Sequence, residues 1–111
     1  MLLTLLPAPA HAARFSGAYL LEVCEIGEGG AEKVKGGHAT CQSYISGVID
    51  YHNMLQSMKL SPELNICIPD GTTLNELHLA VLYYLRANNQ HDGFTAAPAV
   101  TTAIYKKYPC K

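Results

Sequence analysis

Four cysteines, Cys24, Cys41, Cys67 and Cys110, follow a hydrophobic leader that ends in Ala10-His11-Ala12. Residues Met1 to Leu6 are apolar apart from Thr4, and Pro7, Pro9 and the small-x-small pattern of Ala10 and Ala12 have the form of a secretory signal with cleavage expected after Ala12. The apolar run is far shorter than the roughly twenty residues a spanning helix needs, so no membrane attachment is expected after cleavage. Export would place the thiols where disulfides persist. Residues 1–12 are therefore read as the remnant of a signal peptide and residues 13–111 as one domain. A chain of that length buries a modest core and gains from covalent support.

Charge narrows the function classes. The formal net charge is −1 and no cluster of Lys or Arg occurs, so neither a nucleic-acid partner nor an anionic membrane surface is expected. Every periodic segment favours the 3.6-residue repeat over strict alternation, which predicts an all-α domain of four to five helices.

A first helix is expected from Ser16 as N-cap to about Glu25, with Leu20, Leu21 and Cys24 on one face. Ile26 to His38 carries five glycines among charges and reads as a mobile loop. Thr40 is expected to cap a helix from Cys41 to about Met58, with Cys41, Tyr44, Ile45, Val48, Tyr51, Leu55 and Met58 as its core stripe. Gly47 on that helix suggests close backbone packing, Ser46 lacks the setting of a nucleophile, and Asp50 and His52 read as solvated surface residues. Pro62 breaks the chain and Pro69-Asp70-Gly71 forms a turn. Thr73-Leu74-Asn75-Glu76 is a capping box that starts a strongly apolar helix at Leu74, running to about Ala87. Tyr83 and Tyr84 cannot both face one core, so one of them is a candidate contact for a partner or a second copy. Asn88 to Phe94 is a polar connection with a turn at Asp92-Gly93, and Thr95 is expected to cap a last helix through about Lys107 before Tyr108-Pro109-Cys110 closes the chain.

Four cysteines allow three pairings, which sequence alone does not decide. An antiparallel hairpin of the first two helices would bring Cys24 to Cys41, and Cys67 before the third helix would likewise meet Cys110 after the fourth, so these are the expected pairs. A metal site built from His38 and Cys41 with Cys24 or His52 is the competing use of the same residues. With no C-x-x-C pair and an oxidising compartment, the disulfides are preferred, and no metal, cofactor or catalytic residue is expected.

The order of short motifs is distinctive: Gly17 to Leu21 leading into Cys24, Cys41-Gln-Ser-Tyr44-Ile45-Ser-Gly47-Val48-Ile-Asp50, Cys67-Ile-Pro69-Asp-Gly71-Thr-Thr, Leu77 to Leu85, and a terminal Tyr-Pro-Cys110. Together they resemble the Rap/Tai family of immunity proteins, over essentially the whole chain after the leader. The resemblance implies a small, disulfide-supported helical protein of the periplasm, often a homodimer, that is not an enzyme but binds a peptidoglycan amidase effector delivered by type VI secretion and blocks its cleft. It further implies that the connection after the third helix, Asn88, Asn89, Gln90, His91, Asp92 and Gly93, contacts the partner. A second reading is a periplasmic stress chaperone resembling the acid-response proteins HdeA and HdeB, with five histidines that gain charge as pH falls.

Overall fold

The Glu32 carboxylate, not Thr40, starts the longest helix. One carboxylate oxygen accepts from the Gly36 amide at 2.9 Å and the other from the His38 amide at 3.1 Å, which satisfies two of the free N–H groups at the helix start. Gly36 stands at the N-cap with φ of 74°, a left-handed conformation that glycine adopts without strain. The helix therefore begins four residues before Cys41, and the Thr40 hydroxyl turns back along it to donate to the Gly36 carbonyl. A side chain four residues upstream outcompetes the local cap, which is why the start was misplaced.

The computed structural model describes residues 15–60 and 64–111, so the leader and the break expected at Pro62 lie outside the described residues. Within them are four α-helices: α1 (Gly17–Cys24), α2 (Gly37–Ser57), α3 (Leu74–Ala87) and α4 (Ala97–Lys107). Short 3-10 turns occur at Glu28–Gly30 and Asn89–His91. The all-α architecture and both disulfide pairs are as expected: Cys24 joins Cys41 with Cα atoms 5.1 Å apart, and Cys67 joins Cys110 at 4.9 Å.

Local chemistry explains the other helix starts. The Ser16 hydroxyl accepts from the Tyr19 amide at the start of α1, and α3 has the reciprocal capping box of Thr73 and Glu76. Helix α4 departs from expectation. Ala96 holds the N-cap position with no side-chain cap, Pro98 occupies the first turn, and Thr95 instead pairs as a short antiparallel bridge with Ser16. Proline's preset φ and the lost amide make a capping hydroxyl unnecessary there.

Helix α2 packs on the three others, α1 also meets α3, and α3 lies along α4. Leu20 and Val23, Cys41 and Ile45, Val81, Leu82 and Leu85, and Val100 and Ile104 fill the space between them and are buried. The core stripe of α2 is shorter than its periodicity suggests: Tyr51 is 60% exposed and Met58 57%, because the neighbouring helices do not reach them. His52 is buried in their place, contrary to its reading as a surface residue, and its Nε2 donates to the Leu64 carbonyl at 2.9 Å. Asp50 remains exposed. Gly47 is also exposed, and a Cβ there would meet nothing within 4 Å, so it serves no close backbone approach.

The connection from Ile26 to His38 is exposed as its composition implies, but hydrogen bonds organise it. Ile26 bridges Glu32, the Gly27 amide donates to the Ala31 carbonyl, and Glu32 is tied to α2. At the other end of the molecule the chain terminus lies beside residues 65–67: the Cys67 amide donates to the Tyr108 carbonyl at 2.8 Å and the Cys110 amide to the Asn65 carbonyl at 3.0 Å. The second disulfide locks this pairing.

Candidate functional site

The segment from Asn88 to Phe94 is polar in sequence, yet its backbone is the cap of another helix. The first amides of α1 have no partners within α1 itself. The Gly17 amide donates to the Phe94 carbonyl at 2.8 Å and the Ala18 amide to the Asp92 carbonyl at 3.2 Å. Alongside them the Ala96 amide donates to the Phe15 carbonyl at 2.7 Å. Only glycine fits at position 17: a Cβ there would stand 2.2 Å from the His91 carbonyl oxygen. The close approach of α1 thus fixes the inner side of the loop.

Its outer side is tied to α3. The Tyr84 hydroxyl and His91 Nε2 share a hydrogen bond of 2.7 Å, with the two rings 5.3 Å apart. Asn88 donates through Nδ2 to the Tyr84 carbonyl at 2.8 Å, and its Oδ1 accepts from Gln90 at 3.3 Å. Burial raises the Tyr84 pKa above the ordinary phenol value, so its proton stays available to this network. Asp92 Oδ1 is buried without a protein partner, close to the positive end of the α1 dipole.

The six loop residues expected from sequence therefore divide in two. Asn88, His91 and Asp92 are half-buried and bound into the fold, whereas Asn89, Gln90 and Gly93 are exposed. Phe94, just past the expected segment, is 67% exposed, an apolar ring at the end of a polar loop.

A second surface lies along α3 and α4, an open groove of about 720 Å³. Its walls include Tyr83, Tyr84 and Tyr108, with Lys106 and Lys107 at the end of α4. Of the tyrosine pair on α3, Tyr83 is the outward one, 59% exposed, and Tyr84 the inward one. Lys106 sits 5.3 Å from the Tyr84 ring centre, a cation over an aromatic face. The two tyrosines thus do not both face the core, as expected.

The cysteines and histidines among the described residues are used structurally. Cys24, Cys41 and His78 are all buried with their ligand atoms within 4.8 Å of one another, but the two sulfurs are bonded to each other. Both ring nitrogens of His78 are engaged: the Gln42 amide nitrogen faces Nδ1 at 3.0 Å, which leaves Nε2 to donate to the Cys24 carbonyl at 2.7 Å. His38 donates to the Glu25 carbonyl at 2.9 Å and His52 lies elsewhere on α2, so the set weighed for a metal is not brought together. Glu25 also pairs with Arg86 of α3, whose hydrogen bond holds the Glu25 carboxyl below its ordinary pKa.

The geometry offers a polar loop fixed to α1 and α3 and an open aromatic groove along α3 and α4. Comparison with curated proteins and with solved structures found no match. The family model of the Rap1a immunity proteins, in contrast, matches residues 16–110, from the N-cap of α1 to the last cysteine, and the chain belongs to that family.

Proposed function

We propose that this chain is a periplasmic immunity protein that binds a peptidoglycan amidase delivered by type VI secretion and blocks its catalytic cleft. The observation that carries this reading is the family match, which spans both disulfides and all four helices. Immunity against a secreted effector follows from the family, and the amidase and the compartment are the further step. Two disulfides, the first fully buried, suit an oxidising compartment.

The loop supports the reading through its preorganisation. With the inner carbonyls fixed by α1 and His91 held by Tyr84, little conformational entropy is lost when the exposed amides of Asn89 and Gln90 enter a cleft. These side chains supply both donors and acceptors, and Phe94 adds an apolar contact beside them.

The test is a rescue assay in which the chain, with a full export signal, is expressed beside candidate amidases directed to the periplasm, with lysis followed and binding measured on each rescued pair. Rescue together with a complex in which Asn89→Ala and Gln90→Ala each weaken affinity by about three- to tenfold, the worth of one lost hydrogen bond, is the expected outcome. No rescue and no complex across the panel would remove the amidase from the reading and leave immunity against another effector class.

A further inference from the structure

Helix α3 carries more apolar surface than its neighbours cover. Leu77, Val81, Leu82 and Leu85 face the core, while Leu79 is 37% exposed and Tyr83 59% on the side that looks along α4. Ala80 and Ala103 lie at the junction of the two helices, and such short side chains leave a channel between them. The channel is walled by tyrosine, a residue enriched in protein-binding surfaces, and ends at two lysines.

Its charge is unbalanced. Glu76 is the one carboxylate along the groove, and its Oε2 accepts from the Thr73 amide in the capping box, where it also compensates the positive end of α3. Arg86, beside Tyr83, is already paired with Glu25, the single ion pair among the described residues. Lys106 and Lys107 are left without a carboxylate partner among the described residues. A position in the last turn of α4 suits their charge, but the dipole asks for no tyrosine-walled channel in front of them. The groove also adjoins the loop, because Tyr84 lines the one and holds His91 of the other.

We propose that the α3–α4 groove docks an acidic segment of the effector, with an apolar side chain inserted between Leu79 and Tyr83 and one or more carboxylates on Lys106 and Lys107. This rests on the immunity reading and gives the partner's chemistry at a second contact, apart from the loop. Association is then faster at low ionic strength, and charge at the groove selects among effectors.

Two probes test it: the amidase recovered by rescue, and a random peptide library displayed on phage and panned against the full chain. Lys106→Glu with Lys107→Glu is compared with Lys33→Glu and Lys35→Glu, exposed lysines that do not line the groove, and Tyr83→Ala removes the apolar wall without touching charge. Circular dichroism and thermal melts establish that each variant folds. Affinity for the amidase is expected to fall on the order of tenfold or more with the groove charge reversal, to fall with added salt, and to be unmoved by the control pair. Selected peptides are expected to carry Asp or Glu beside Leu, Phe or Trp and to lose binding to the same variants. An amidase that binds equally well after charge reversal overturns the groove and leaves the immunity reading standing. Acidic peptides that bind only the intact groove, with no amidase bound by any variant, uphold the groove and sink the amidase. Peptides without acidic enrichment overturn the proposal, as does a solution dimer that the groove variants dissociate, since a second copy would then cover this face.

Discussion

Glu32 and Thr40 compete for one role, and the structure assigns it to Glu32. Replacing Glu32 with Ala is expected to cost about 1 kcal/mol in urea denaturation, as loss of a helix cap does, whereas Thr40→Ala should stay within about 0.5 kcal/mol. Gly17 is the most demanding single position. A methyl group there collides with the His91 carbonyl, which is backbone and cannot swing aside. Gly17→Ala is therefore expected to cost about 2 kcal/mol or more, read as a lowered melting temperature, and to loosen the loop. The Glu25–Arg86 pair sets a pH dependence. Because the folded pKa of Glu25 lies below the ordinary carboxylate value of about 4.3, its contribution is full above that value and is lost as pH falls through the folded pKa. The stability difference between the protein and Glu25→Gln should thus be present near about pH 7 and close toward about pH 2. A gap that persists in acid would show that the carboxylate's charge is not what the pair contributes. None of these three roles was legible in sequence: Glu32 caps from within the glycine-rich connection, four residues before Gly36, Gly17 meets His91 from a distant segment, and Glu25 and Arg86 stand 61 residues apart.

Among the elements, α1 and the chain terminus depend most on covalent help. Helix α1 has only eight residues, too few to persist alone in water, and Cys24 ties its end to α2. The second bridge closes the longer loop, with a sequence separation of 43 against 17 for the first. In the loop-entropy model their removal costs about 4 and about 3 kcal/mol respectively. Cys24 and Cys41 are fully buried, so replacing that pair by Ala also leaves a cavity and narrows the difference. Paired replacements followed by urea denaturation check both figures; equal, small losses would mean that packing alone holds these ends. Helix α3 was the element most legible in sequence, since its capping box and its apolar period agree and its observed limits are Leu74–Ala87. Helices α2 and α4 were misread only at their starts. A carboxylate that caps from four residues before the N-cap and a proline that makes a cap unnecessary both leave weak local signals.

For the whole molecule, the loop after α3 is a joint between two helices, tied to α1 through its carbonyls and to α3 through His91. Breaking the Tyr84–His91 bond with His91→Ala is expected to speed hydrogen exchange of the Gly17 and Ala18 amides and to lower effector affinity, although His91 itself is half-buried. Lost affinity with unchanged exchange would instead make His91 a direct contact. Composition and helical period by themselves determined that this chain is an all-α domain, because local propensity carries that information, whereas the choice of Cys24–Cys41 and Cys67–Cys110 among three pairings was decided by how the helices pack. The tertiary structure alone decided which polar residues are free. His52, His78 and His91 look alike in sequence, yet each is tied to a partner at least seven residues away, and Tyr83 and Tyr84 differ only in which neighbour reaches them. Exposure and hydrogen bonding are properties of packed surfaces, and those surfaces exist only once α1, α3 and α4 have met.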